Sequence, residues 1–168
     1  AEIAQIIDGA AMTDGAKAIA HRMFGFVADA EARAHGVPVG EVHFHEVGAV
    51  DSIADIIAIA VAADDLAPDG VVVSDLPCGY GTVRCQHGLI PVPAPATAFI
   101  AEAAGLTLSP VDVEGELVTP TGAAAAAALR TEAALPERFS IKAIGMGAGK
   151  RAYDTPGILR AMIIEPAE

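Results

Sequence analysis

The chain has 168 residues, a length suited to one domain, and 53% of them are hydrophobic, with few aromatics and no Trp. Its 22 acidic residues against 10 basic ones give a formal net charge of −12, which excludes the basic footprint that phosphate neutralisation in nucleic-acid binding requires. No run of about 18 apolar residues is present to cross a membrane, and the apolar residues are mostly small, which points to tight helix packing.

The sequence opens on Ala rather than Met, so a fragment of a longer protein is expected, read as the single domain 1–168. Its start, "AEIAQIIDGAAMTDG", lacks the basic and apolar regions of a secretory signal. Cys78 and Cys85 match no CxxC spacing, so a reduced, cytoplasmic protein is expected.

In chain order, residues 13–35 predict an amphipathic helix, capped by Thr13 or Asp14 and ended by Gly36 and Pro38. Its apolar residues Ile19, Met23, Phe26, Val27 and Ala30 recur at three- and four-residue steps. "VHFHEV" (42–47) alternates as a short strand does. A second helix over 49–66 carries Ile53, Ile56, Ile57, Ala60 and Val61 in a wide stripe, which predicts that it is mostly buried.

"GVVVSDLP" (70–77) has the continuous β-branched character of an interior strand. The Gly- and Pro-dense stretch 78–97 reads as an ordered surface loop. A helix led by Pro95 follows, then one or two strands within 106–120 and a helix over 121–134. Final strands are expected in 138–151 and 158–165. This alternation predicts an α/β (mixed α+β) fold with helices packed on a central mixed sheet.

Four stretches carry chemistry. The first, "EVHFHEVGAVDSIADI" (41–56), holds His43, His45, Glu46, Asp51 and Asp55, five ionisable groups within thirteen residues of an apolar chain. In an extended segment two imidazoles two positions apart face the same way, and on a helix Asp51 and Asp55 share a face. Imidazole suits nickel, zinc, copper and iron, and carboxylates widen the choice. The plain alternative makes Asp51 a helix cap.

His87 stands in the second stretch, "QHGLIPVPAP", whose prolines fix the backbone around it. The third, "ELVTPTGAA", places Thr119, Thr121 and Gly122 at a helix start, where unpaired amides favour anions and an ordinary Thr cap is the plain alternative. The fourth, "GMGAGKR" (145–151), is not a phosphate loop, because Ile144 and Arg151 occupy the positions where Gly and Ser or Thr are needed. Its glycines suit a tight turn or a sheet edge, and Lys150 remains available for an anion.

The stretches 42–56, 79–97, 116–124 and 145–160 together resemble, in sequence order, the LarC-type nickel-insertion proteins, and cover most of residues 41–160. The resemblance implies a nickel chelatase of the lyase class. It inserts Ni²⁺ into pyridinium bis-thiocarboxylic acid mononucleotide, making the nickel-pincer cofactor of lactate racemase. It further implies CTP consumption with Mn²⁺ or Mg²⁺ in the full-length protein, and lactate racemase maturation proteins as partners.

By the same resemblance, His43, His45, Glu46, Asp51 and His87 are metal candidates, and Thr119, Thr121 and Gly122 are substrate candidates. Loss of a ring proton on nickel insertion calls for a base, for which Glu46 or Asp51 is the candidate, and the charge of Lys150 adds it to the substrate candidates. The family's opening segment and its C-terminal CTP-binding module have no counterpart in the sequence, which reads as a central fragment, with homo-oligomerisation open. Two rival readings are a metal-dependent hydrolase and a non-catalytic metal- or nucleotide-binding scaffold. The hydrolase barrel needs about 250 residues, more than this chain supplies.

Overall fold

A computed structural model describes residues 2–42, 50–85, 88–153 and 155–167. Helix α1 (Glu2–Gly9), which the sequence reading did not anticipate, buries Ile7 against the long helix α2 (Asp14–His35). Thr13 caps α2 by accepting the Ala16 amide, and Gly36 ends it at φ +67°, a left-handed conformation that glycine adopts without a Cβ clash. A 3₁₀ turn (Val39–Glu41) follows. Helix α3 (Val50–Leu66), α4 (Pro95–Ala104) and α5 (Pro120–Leu129) complete the helical part.

The core is helix against helix. α2 packs on α3, α4 and α5, and α4 also packs on α5. Met23, Phe24 and Val27 of α2 meet Ile56 and Ala60 of α3, Ile100 of α4 and Ala123, Ala124 and Ala128 of α5. The alanines let backbones approach closely, as the small-residue composition predicts. The expected α2 stripe is observed, with Met23, Val27 and Ala30 buried and Ile19 and Phe26 packed at its margin.

The mixed helix-and-strand class is borne out, but the central sheet is not found among the described residues. The strands instead form three two-stranded units. β1 (Leu76–Tyr80) runs parallel to β4 (Leu108–Glu114), β2 (Thr82–Cys85) is antiparallel to β3 (Gly88–Pro91), and β5 (Phe139–Ala148) is antiparallel to β6 (Ile158–Pro166). Because the helices bury their apolar stripes on one another, no sheet is needed to cover them. No barrel of the hydrolase kind occurs among the described residues.

Three further expectations change. α3 is buried along a narrow line only, with Val61 exposed, because its neighbours α2 and α5 cover one side. The run 70–77 is not an interior strand as a whole: only its last two residues, Leu76 and Pro77, enter a strand, β1. Val71 to Val73 are half-buried, Val72 forms an isolated bridge with Glu132, and the run is tied by bonds between Val71 and Thr131. The stretch 78–97, expected as an ordered surface loop, is ordered as strand rather than loop over much of its length, with β2 paired to β3. Half-buried Val83 and Ile90 alternate with exposed residues, and Pro91 stands at a strand end, where its missing N–H costs no ladder bond. The predicted strand 42–47 lies outside the described residues, apart from Val42.

The β5–β6 ribbon is exposed on nearly every residue, and Gly145 and Gly147 lie inside β5, in agreement with the sheet-edge reading of "GMGAGKR". Lys142 and Glu165 pair across it at 2.7 Å.

Candidate functional site

The parallel β1–β4 pair sets the frame on which the motif stretches meet. At the end of β1 the chain passes so close to β4 that a Cβ on Gly79 would collide with the carbonyl oxygens of Gly115 and Val113. The Gly115 amide donates to the Tyr80 carbonyl at 2.9 Å, locking this crossing. A small cavity behind it is lined by Cys78, Gly79, Val92, Pro93, Thr97 and Val118. The hydroxyl of fully buried Thr97 donates to the Val118 carbonyl at 3.3 Å. The Gly/Pro-rich stretch and the "ELVTPTG" stretch are therefore packed together.

The fourth stretch joins them through Tyr153. Its hydroxyl donates to the Glu116 carbonyl at 2.8 Å, and its ring lies over Gly115, where a Cβ would approach Cε1 to 2.9 Å. Gly157 lies against the other part of the ring, and the Gly149 amide donates to the Gly157 carbonyl at 3.1 Å. The connection after β5 that carries Lys150 and Arg151 is thereby held to a segment three residues ahead of Thr119. Sequence reading missed Tyr153. Its signal is a lone aromatic among the small and polar residues of "GKRAYDTPG".

Thr119 is the N-cap of α5, with its hydroxyl accepting the Gly122 amide at 3.2 Å. The plain cap reading thus holds for this residue. The hydroxyl proton is not used in that bond, so Thr119 can still donate one. Thr119 and Gly122 are exposed, Thr121 is half-buried and Lys150 is exposed. Pro120 at the first helical position has no N–H to lose.

Asp51 lies in the first turn of α3, one residue inside the helix rather than ahead of it. Its carboxylate is exposed and accepts the Ser52 amide at 2.9 Å. Asp55, one turn later, is exposed as well. His43, His45, Glu46 and His87 lie outside the described residues. Cys85 and Gly88, the described residues on either side of positions 86 and 87, are register partners in the β2–β3 pair. Among the described residues no group of three or more His, Cys, Asp or Glu is placed to hold a metal ion. The other two histidines are engaged elsewhere, His21 with Asp8 at 2.8 Å and His35 with Glu31 at 3.4 Å.

A family model described as "Nickel insertion protein" matches residues 1–168. A protein of Alkaliphilus metalliredigens, named pyridinium-3,5-bisthiocarboxylic acid mononucleotide nickel insertion protein, is 52% identical over 164 residues, covering 98% of this chain and 39% of that protein. A protein of the same name from Akkermansia muciniphila is 45% identical over 169 residues, covering 100% of this chain and 41% of that one. The chain therefore spans about two fifths of the length of these relatives. No solved structure matches it. No helix among the described residues is long and apolar enough to cross a membrane.

Proposed function

This chain belongs to the nickel insertion protein family, and from that premise we propose that it carries the metal-handling and substrate-holding part of a nickel chelatase. The substrate is the pyridinium bis-thiocarboxylic acid mononucleotide that its relatives' names specify. The observation that carries the reading is the match along all of residues 1–168, supported by the meeting of three motif stretches around Gly115 and Glu116.

Nickel is a reactant here, joining one ring carbon and two thiocarboxylate sulfurs. Neutral imidazoles of His43, His45 and His87 suit a borderline divalent ion. Replacing a ring C–H by C–Ni releases one proton, which a nearby carboxylate must accept. Glu46 and Asp51 are the candidates, and the Asp51 carboxylate at the start of α3 is solvent-accessible for that transfer. The mononucleotide phosphate is assigned to the α5 start, where the Thr119 and Thr121 hydroxyls and first-turn amides act as donors, with Lys150 as counter-charge.

The finer parts of the reading extend to the longer protein. They comprise lyase-class chemistry, CTP turnover with Mn²⁺ or Mg²⁺, delivery to lactate racemase maturation partners, homo-oligomeric assembly and a cytoplasmic location.

The test is calorimetric nickel titration of the chain beside His43→Ala, His45→Ala and the double variant. Loss of one imidazole ligand is expected to weaken binding by roughly 10- to 100-fold, the scale on which a site responds even to loss of an outer-shell partner. Parent-like nickel affinity in the double variant would refute the assignment.

A further inference from the structure

We infer that Tyr153 is a positioning residue that sets the Lys150–Arg151 connection against the start of α5. The inference rests on the proposed assignment of that helix start to the mononucleotide phosphate, and deepens it. Three observations carry it. The Tyr153 hydroxyl donates to the Glu116 carbonyl at 2.8 Å in a part-buried setting. The backbone opposite the ring is glycine at both contacts: Gly115, at φ +130°, would bring a Cβ within 2.9 Å of Cε1, and Gly157 would bring one within 3.5 Å of Cδ2. The connection is closed at its base by the bond from the Gly149 amide to the Gly157 carbonyl.

These contacts join chain positions that lie 37 residues apart, Glu116 and Tyr153. Beyond the base of the ribbon, Tyr153 supplies a side-chain hydrogen bond from this connection to the segment between β4 and α5. Two cations sit just before it, in a chain whose formal net charge is −12. An acidic protein repels an anionic ligand unless cations are held near the binding point. Holding the connection near Thr119 supplies that local charge, and releasing it leaves two long, solvated side chains to be ordered at each binding event.

Tyr153→Phe is the informative variant, because it keeps the ring in its glycine seat and removes only the bond to Glu116. One hydrogen bond of this kind contributes about 0.5–1.5 kcal/mol, which corresponds to roughly a two- to twelvefold change in an equilibrium. Two readouts apply. Trypsin cleaves after Lys150 and Arg151, and its initial rate at those bonds is expected to rise by about two- to twelvefold when opening is fast relative to cleavage. Affinity for nicotinic acid mononucleotide, used as a pyridinium mononucleotide probe, is expected to fall by a similar factor while nickel affinity stays at the parent value. Gly115→Ala, which drives a methyl group into the ring, is expected to give the same two changes at larger size.

An unchanged cleavage rate in both variants would overturn the inference. So would faster cleavage with unchanged probe affinity, provided that the parent binds the probe and Thr119→Ala weakens it. A parent that does not bind the probe would instead overturn the phosphate assignment of the proposed function, and the cleavage rates would then decide the role of Tyr153 by themselves.

Discussion

The hydroxyl of Thr13 donates to the carboxylate of Asp64 at 2.6 Å while accepting the amide of Ala16 at 3.1 Å. One side chain therefore caps α2 and ties it to the far end of α3, fifty-one positions along the chain. Gly15 makes this possible, since a Cβ there would collide with the Asp64 carboxylate. Thr13→Ala is expected to lower stability by about 1–2 kcal/mol, a cap loss plus part of an exposed hydroxyl–carboxylate bond. In thermal denaturation that is a drop of roughly 2–8 °C. A double-mutant cycle with Asp64→Ala isolates the second component, and strict additivity would show that the tie contributes nothing.

Thr119 offers a separation of structural from ligand roles. Thr119→Ser keeps the hydroxyl and should retain the cap, whereas Thr119→Ala should cost about 1 kcal/mol by loss of the bond from Gly122. If the hydroxyl also donates to a phosphate, Thr119→Ala weakens mononucleotide binding and Thr119→Ser does not. Calorimetry on the two variants, read beside their melting curves, distinguishes these effects.

Gly79→Ala tests the crossing of β1 and β4. The added methyl would meet two backbone carbonyl oxygens, and neither is the movable end of a side chain. A loss of at least 1–3 kcal/mol is expected, the scale of overpacking in a closed site. Urea denaturation checks it. Parent-like stability would mean that the strands can separate without cost.

Arg130 closes α4 from outside. Its guanidinium donates to the Gly105 carbonyl at 2.9 Å and to the Ala104 carbonyl at 2.6 Å. Those carbonyls belong to a helix end whose acceptors otherwise lack intrahelical partners. Arg130→Lys cannot reproduce the two-pronged geometry, so both Arg130→Lys and Arg130→Ala are expected to destabilise, by about 1–2 kcal/mol. Amide exchange at the last turn of α4 should accelerate in both.

How far this molecule could be read from its sequence depended on the range of the interactions involved. The limits of α2, the Pro-led start of α4, the start of α5 to within one residue and the final strand pair were legible because caps, prolines and periodicity act within a few residues, whereas α5 ends at Leu129 rather than at 134. The central sheet was over-read because alternation says that a segment is extended without saying what pairs with it. β1 and β4 found each other, β5 and β6 found each other, and the run around Val72 found a single bridge.

At the candidate site, Thr119 was readable as a cap from "VTPTG" alone, whereas the hold of Tyr153 on Glu116 depends on two distant segments meeting. Asp51 was placed at the head of α3 correctly to within one residue. The positions of His43, His45, Glu46 and His87 lie outside the described residues, so the metal assignment stands on residue chemistry and family membership.

The final ribbon has a practical consequence for anyone handling this polypeptide. Ile141, Ile144 and Ile158 are about half exposed, and Met146 and Leu159 show 74% and 77% of their surfaces to water. Two strands alone form a marginal unit, and unpaired rims bearing bare aliphatic groups invite adhesion to any similar edge. Preparations should cloud or form larger species as concentration rises, and a charged replacement at Met146 or Leu159 should keep them clear.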